Sequence, residues 1–400
     1  MAKPLRIAIV GAGFAAQFHL ASYRKVYGED FEIVGLYGPT SARVLNLMRQ
    51  FEIPRAYDSI GELIADPNID VVDICAPNHL HVPLILQAAE SGKHIICEKP
   101  LGGYFGPRDA DELWTAAGAS RRDMLQTVMA QAKTIEDTVS RAGVTFCYGE
   151  NWVYAPPITK VNRLMAASGS TILRIQAEES HSGSHAKYAK QWRTAGGGSL
   201  LRLGVHPIGA AIYLKYEEGR RRTGKPIRVR SVLAQVASLT AIDSFLEQSR
   251  KHIVSDWVDV EDWGTVTMTF EDGSVGQVTS TDTSLGGVRN YLTANGSQAV
   301  ATANINPNNT CMAYTPDGQY FESEYLVEKV ETKEGWTFPA ADEDAVTGYV
   351  EELRDFVGSI ANRRKPKSDL LLAMDVLTVV YASYLSAEKC ALVNLNSDLA

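Results

Sequence analysis

Apolar and polar positions follow two regimes along the chain. Over the first 150 residues, short apolar runs at 5–10, 31–37, 70–76 and 94–97 alternate with stretches of helical spacing. The segment after Gly11 reads as a helix through Tyr27. Residues 40–51 place Val44, Leu45, Leu47, Met48 and Phe51 on one helical face. Ser59-Ile60-Gly61-Glu62 fits a capping box opening a third helix, and residues 81–91 form a fourth, closed by Gly92. Strand–helix alternation at this spacing predicts right-handed β-α-β units and a parallel sheet. From Gly103 to Gly143 the pattern turns helical, with Met124, Val128, Ala132, Ile135 and Val139 in one core-facing stripe. Beyond Gly149, residues 172–178, 227–239, 264–270 and 274–281 alternate with period two, and Glu271-Asp272-Gly273-Ser274 reads as a hairpin turn. A final helix is expected over 370–388. The chain shows neither an internal repeat nor a low-complexity tract. The fold class is α/β: a doubly wound parallel domain over 1–148, then an α+β domain with a mainly antiparallel sheet over 149–400.

Composition narrows the function. Four hundred residues, 45% apolar and 22% charged, match a soluble, enzyme-sized chain of two domains. A net charge of −8 offers no basic field for nucleic acid. Five cysteines, without a C-x-x-C pair, predict reduced thiols rather than disulfides or a metal cluster. The apolar run before Gly11 is too short for a signal peptide, and no window is read as a membrane span. A cytoplasmic protein without membrane or nucleic-acid partners is expected.

Ligands of doubly wound sheets sit outside the carboxyl ends of the strands. After the first strand come Gly11, Gly13 and Ala16, a G-x-G-x-x-A element for a tight turn, close pyrophosphate approach and helix packing. The helix that follows supplies free N–H groups to phosphate. After the second strand, Tyr37-Gly38-Pro39-Thr40-Ser41-Ala42-Arg43 lacks the carboxylate that would bind a ribose 2′-OH. Thr40, Ser41 and Arg43 instead suit a 2′-phosphate, so the cofactor is NAD(P) with a lean to NADP; helix capping is the other reading of Thr40 and Ser41. After the third come Ala76-Pro77-Asn78-His79-Leu80-His81, and after the fourth Cys97-Glu98-Lys99-Pro100. Proline directs Lys99 away from the α region, leaving an ammonium at the crevice.

The second domain adds His181, His185, Trp192, Arg193 and the run Gly196-Gly197-Gly198-Ser199-Leu200-Leu201-Arg202-Leu203-Gly204-Val205-His206. A loop feeding a helix would point His206 inward, where an imidazole suits proton transfer. His181 and His185 are spaced as helical metal ligands, but Gly183 between them argues for a loop, so no metal is expected. Trp152, Tyr154 and Trp192 either stack on a ring substrate or pack a core edge.

Together, Gly11-x-Gly13-x-x-Ala16, Pro77-Asn78-His79-x-His81, Cys97-Glu98-Lys99-Pro100 and Gly196-Gly197-Gly198…Gly204-Val205-His206 resemble the glucose–fructose oxidoreductase / inositol dehydrogenase / rhizopine catabolism (Gfo/Idh/MocA) family of NAD(P)-dependent oxidoreductases. The resemblance spans nearly the whole chain and includes Val260-Glu261-Asp262-Trp263. It implies a Rossmann domain, then a large open sheet whose face makes homodimers or homotetramers. It also implies hydride transfer at a secondary alcohol of a sugar, cyclitol or related polyol. Lys99 would polarise the hydroxyl and His206 would take its proton. Phe14, Gly38, Pro77, Asn78, His81 and Glu98 would join Gly11, Gly13, Ala16 and Lys99 around the cofactor. Trp152, Tyr154, His181, His185, Trp192, Arg193, Arg202 and His206 would face the substrate.

Two departures stand out. Arg202 occupies the place of a family aspartate, which would remove a carboxylate partner from His206, depress nearby pKa values and admit a carboxylated substrate. Residues 102–124 look inserted, as an extra helix beside the crevice. Two other functions fit the same motifs: transient oxidation by a tightly held cofactor during glycoside or ether cleavage, and a non-catalytic cofactor-binding regulator.

Overall fold

The first apolar run becomes β1 (Leu5–Val10), with Ile7 to Val10 buried in the centre of a parallel sheet. The other strands are β2 (Phe31–Tyr37), β3 (Val71–Ile74), β4 (His94–Glu98) and β5 (Phe146–Gly149), in the order β2-β1-β3-β4-β5. All pairs are parallel. The winding reverses between β1 and β3, which opens a crevice at the carboxyl ends of those strands. The computed structural model describes residues 3–107, 114–306, 311–330 and 332–396.

Helices α1 (Phe14–Tyr23), α2 (Ser41–Phe51), α3 (Ile60–Ala65), α4 (His81–Glu90) and α5 (Arg121–Ala142) cover this sheet. Helix α1 stops at Tyr23 rather than Tyr27, because the chain unwinds into turns before Gly28, which holds φ +78°. The Ser59 hydroxyl accepts the Glu62 amide at 3.1 Å, as a capping box requires. The Glu62 carboxylate, however, returns to the Asp58 amide at 3.1 Å, one residue earlier than the box predicts. The stripe from Met124 to Val139 is buried along α5.

The expected extra helix over 102–124 is not found in the described residues before α5 begins at Arg121. Residues 102–107 are irregular and Ala116–Gly118 make one 3₁₀ turn, while 108–113 lie outside the described residues. The local sequence explains this: Gly106 sits at φ +96°, and a Cβ on Gly102 would lie 2.8 Å from Val82. The segment is instead pinned by tertiary bonds. Tyr104 N donates to the Tyr381 hydroxyl at 2.7 Å, and Ala116 N donates to Asp259 at 2.8 Å.

The second sheet contains β6 (Ile172–Ser180), β7 (Val229–Ala237), β8 (Trp263–Phe270), β9 (Val275–Thr281), β10 (Arg289–Gly296) and β11 (Val300–Asn304). Its order is β11-β10-β6-β9-β8-β7, closed by the short strand Val393–Asn394. All its pairs are antiparallel except β6 with β9. Strand β8 buries Gly264, Val266, Met268 and Phe270 in strict alternation, and Gly273 turns the β8–β9 hairpin at φ +86°. Strands β10 and β11 escape the hydrophobic pattern because their inward positions are mostly small, such as Ala294, Ala301 and Ala303.

Helices α6 (Pro156–Ala167), α7 (Trp192–Ala195), α8 (Ser199–Arg202) and α9 (Val205–Thr223) follow β5 and β6. By length and composition, the helix Leu370–Lys389 could cross a membrane, which corrects the expectation that no window would. Here it is a core helix: Leu372, Val376, Val379, Val380 and Leu385 are buried, and it packs on β7, α5 and α9.

Candidate active site

The crevice begins at Gly11, whose φ of +126° and close approach to β3 admit no side chain; a Cβ there would lie 2.3 Å from the Cys75 carbonyl oxygen. Gly13 is the N-cap of α1, with no side-chain cap and nothing within 4 Å of a built Cβ. The first amides of α1 thus open onto free space beside the exposed Phe14, while Ala16 is fully buried. Gly38 closes the floor, since a Cβ would meet that of Ala12 at 2.7 Å. Thr40 caps α2 by position only, without a side-chain bond, and Thr40, Ser41 and Arg43 are all exposed. This geometry fits a dinucleotide, whose pyrophosphate would lie over Gly13 and the α1 amides.

His81 does not project into this space. Its ring nitrogens face the carbonyls of Pro100 at 2.7 Å and Ala76 at 2.9 Å, tying the ends of β3 and β4 together. Asn78, behind the exposed Pro77, donates to the Ala195 carbonyl at 2.9 Å and so links the crevice to α7.

Lys99 is held from beneath by a buried chain of charges. The Glu98 carboxylate accepts the Lys99 amide at 3.0 Å and lies 3.0 Å from His19 Nε2. His19 Nδ1 lies 2.9 Å from Asp73, which also accepts the Tyr23 hydroxyl at 3.0 Å. Burial disfavours charge on both partners, yet their pairing prevails. Asp73 and its neighbours hold His19 well above its ordinary value, and His19 holds Glu98 below its own. Cys75 completes a trio with His19 and Asp73 at metal-ligand spacing. Burial pushes that thiol up, however, and its sulfur lies within bonding distance of both partners. The Lys99–Pro100 peptide is cis, and Lys99 Nζ donates to the Arg202 carbonyl at 3.1 Å.

The triple glycine serves Glu261 and Tyr384. A Cβ on Gly198 would fall 2.0 Å from the Glu261 carbonyl oxygen, and one on Gly197 would fall 2.4 Å from the Tyr384 hydroxyl. Glu261 accepts the amides of Gly198 and Leu200, each at 3.0 Å, and the Tyr384 hydroxyl at 2.8 Å. This clamp fixes α8 and delivers His206 in the first turn of α9. His206 Nδ1 lies 2.8 Å from Glu150 Oε1, and Gly209 one turn later leaves room for that carboxylate. Trp152 stacks on the imidazole, with centroids 6.1 Å apart and planes 14° from parallel. Burial and the Lys99 charge oppose a charged His206, but Glu150 and Glu179 together raise the ring above its ordinary value.

This corrects the expectations attached to Arg202. His206 does have a carboxylate partner, Glu150 from the end of β5, and its basicity is raised rather than depressed. Arg202 is itself neutralised: it pairs with the fully buried Asp282 after β9, and its guanidinium lies 4.9 Å from the Trp257 ring centroid.

Other residues divide clearly. His181 is buried near Asp282, and Nδ1 accepts the Gly183 amide at 2.9 Å. Burial, then Lys329 and Arg202, drives it well below its usual value, so its ring is neutral. His185 is exposed beyond Gly183, which turns at φ +103°, so the two histidines share no helical face. Tyr154 bonds Asp355 at 2.8 Å and Ser368 at 3.0 Å, within the core. Trp192 donates to Tyr104 at 3.0 Å under the Arg121 guanidinium, and Arg193 is half-buried on α7. The sequence does not single out Glu150, Asp282 or His19. Glu150 and Asp282 carry the same signal as Lys99, a charged residue directly after a strand.

The chain matches the oxidoreductase family model with the NAD-binding Rossmann fold over residues 5–127 and the GFO/IDH/MocA C-terminal domain over 170–302. It is 28% identical over 206 residues to trans-1,2-dihydrobenzene-1,2-diol dehydrogenase of Mus musculus, covering 51% of this chain and 54% of that protein. The chain spans about half the length of the curated relatives that it matches. Among solved structures, GenD2 from gentamicin A biosynthesis, in complex with NAD, aligns with a TM-score of 0.76 and 23% identity, covering 99% of this chain and 98% of that one. The myo-inositol 2-dehydrogenase of Lactobacillus plantarum aligns with a TM-score of 0.72 and 18% identity, covering 98% and 99%. At those identities the structural matches establish the fold.

Proposed function

The chain belongs to the Gfo/Idh/MocA family of NAD-binding oxidoreductases, and on that footing we propose that it transfers a hydride between a nicotinamide dinucleotide and a secondary alcohol of a sugar, cyclitol or related polyol. The observation that carries this reading is the division of labour on His206: Glu150 occupies Nδ1 at 2.8 Å, which leaves Nε2 as the nitrogen that can take a proton. The bound nicotinamide would supply the hydride acceptor. Lys99, fixed through its amide by Glu98 and through its ammonium by the Arg202 carbonyl, would donate to the alcohol oxygen and favour its ionisation. His206 Nε2 would receive the hydroxyl proton, and Glu150 would stabilise the resulting imidazolium. In the reverse direction the same imidazolium returns the proton to the forming alcohol.

Arg202 paired to Asp282 supports a neutral polyol rather than a carboxylated substrate. The uncapped Thr40 hydroxyl with exposed Ser41 and Arg43 supports NADP over NAD. Exposed Leu173, Leu233 and Val300 on the outer face of the second sheet support a homo-oligomer built on that face.

The test is a fluorescence titration with NADH and NADPH, followed by turnover of trans-1,2-dihydrobenzene-1,2-diol and myo-inositol with the preferred oxidised cofactor. Exchangeable binding with reduction of the cofactor is expected. Absence of binding by either nucleotide would overturn the dehydrogenase reading, and cofactor released only on denaturation would favour transient-oxidation chemistry.

A further inference from the structure

Four buried polar atoms around Lys99 and His206 lack partners: Glu179 Oε2, Glu150 Oε2, Asp282 Oδ1 and Arg202 Nε. Glu150 already serves His206, and Asp282 and Arg202 already serve each other. Glu179 differs: its Oε2 has no donor among the described residues, the carboxylate is committed to no ion pair there, and only 9% of the residue is exposed. A buried carboxylate without a donor is costly unless something else completes it.

Its direction follows from the strand. Along β6, Ile175, Ala177 and Glu179 are buried on one face, whereas Glu178 bonds Tyr291 and Ser180. Glu179 therefore faces the helix layer that carries His206, and the charges that act on it are His206, Lys99, Glu150 and Glu328. No donor among the described residues reaches the orphaned oxygen, and the two groups that mark the reacting hydroxyl are its electrostatic neighbours.

We propose that Glu179 is a specificity-determining residue whose inward carboxyl group accepts a hydrogen bond from a second hydroxyl of the substrate, so that the site selects diols and polyols over isolated alcohols. This rests on the dehydrogenase reading for the position of the reacting hydroxyl. Both cations of the site have protein acceptors, Lys99 the Arg202 carbonyl and Arg202 the Asp282 carboxylate, while the least satisfied group is an acceptor. A ligand that completes Glu179 must bring a donor. A hydroxyl beside the reacting one does so, and a carboxylate does not. Missing-donor discrimination of this kind is large, because a substrate without the group leaves the carboxylate buried and unpaired.

The experiment compares trans-1,2-cyclohexanediol with cyclohexanol, which differ by one hydroxyl. Their affinities for the cofactor-loaded protein are read from bound NADH or NADPH fluorescence, in wild type, Glu179→Gln and Glu179→Ala. The wild type is expected to prefer the diol by about tenfold or more. Glu179→Ala should bring that preference close to unity, and Glu179→Gln, which keeps an acceptor carbonyl, should retain part of it. An unchanged preference in Glu179→Ala overturns the proposal, as does a wild type that binds both probes equally or neither. Because the readout is binding, it separates the two readings. A Glu179-dependent preference without hydride transfer sinks the dehydrogenase reading and keeps the subsite, whereas turnover without the preference does the reverse.

Discussion

His19 Nε2 lies 3.0 Å from Glu98 Oε1, and the other oxygen of that carboxylate receives the Lys99 amide, so a histidine on the first helix sets the backbone under the candidate catalytic lysine. Asp73 holds the other ring nitrogen, Nδ1, and no part of His19 reaches solvent. His19→Leu would leave Asp73 and Glu98 buried without their cation. Breaking a buried pair in this way costs about 3–5 kcal/mol, to be read by urea denaturation. The pH dependence has a definite sign. The folded pKa of His19 lies above its unfolded value, so its stabilisation is complete below about pH 6.5 and fades as pH rises through the folded value. The wild type should therefore lose stability on the alkaline side more steeply than His19→Leu, and parallel curves would remove His19 as the cause.

Glu150 gives the activity profile its expected position. His206 titrates above its ordinary value because, against burial and Lys99, the Glu150 and Glu179 carboxylates favour its charged form. For alcohol oxidation, kcat/KM should rise with pH through an ionisation above about 6.5, as the neutral imidazole becomes available. Glu150→Gln removes the larger of the two raising charges and leaves burial, so the midpoint should move to lower pH. A midpoint that stays in place would assign the ionisation to another group.

Much of this arrangement is legible in the sequence. Residues 5–10, 31–37 and 94–97 mark three parallel strands because short apolar runs alternating with helical stretches suit buried parallel strands, and Lys99 and His206 follow from strand-end and glycine-loop positions. The partners of those residues are less legible. Glu150 reaches His206 across 56 positions and Asp282 reaches Arg202 across 80. Such pairs are set by how distant elements pack against one another, which periodicity does not encode. The segment at 102–124 misleads for a related reason: its helix-forming residues are interrupted by Gly102, Gly103 and Gly106, and its bonds run to Tyr381, Trp192 and Asp259.

Lys99 and His206 should separate chemistry from cofactor binding. Lys99→Ala and His206→Ala are each expected to lower turnover by at least about 10²-fold, the ordinary worth of a positioned acid–base group. The affinity for NAD(P)H should stay near wild type, since the Gly11–Gly13 cradle and the α1 amides are untouched. Near-normal turnover in either variant removes that residue from the mechanism.

The cofactor preference turns on Arg43. It is exposed at the start of α2, beside the uncapped Thr40 and Ser41. If this trio receives a 2′-phosphate, Arg43→Ala should weaken NADPH binding by about tenfold or more, the worth of one charge-assisted hydrogen bond, and leave NADH within about twofold. Equal losses for both nucleotides would place Arg43 outside the discrimination.

Arg202 and Asp282 provide the last discrimination, between an anion anchor and an internal ion pair. Asp282 is fully buried; burial pushes its carboxyl up, and Arg202 opposes that shift. Arg202→Met leaves this carboxylate without its cation, an expected cost of about 3–5 kcal/mol in chemical denaturation. Replacing both partners by apolar residues removes the uncompensated charge as well as the pair, so Arg202→Met with Asp282→Leu should recover most of that loss. An anion anchor predicts the opposite pattern. Arg202→Met would then leave stability within about 1 kcal/mol of wild type, the scale of ordinary substitutions away from such features, while selectively weakening carboxylated substrates. The ion-pair reading requires the single variant to be unstable and the double variant to fold, whatever the substrate.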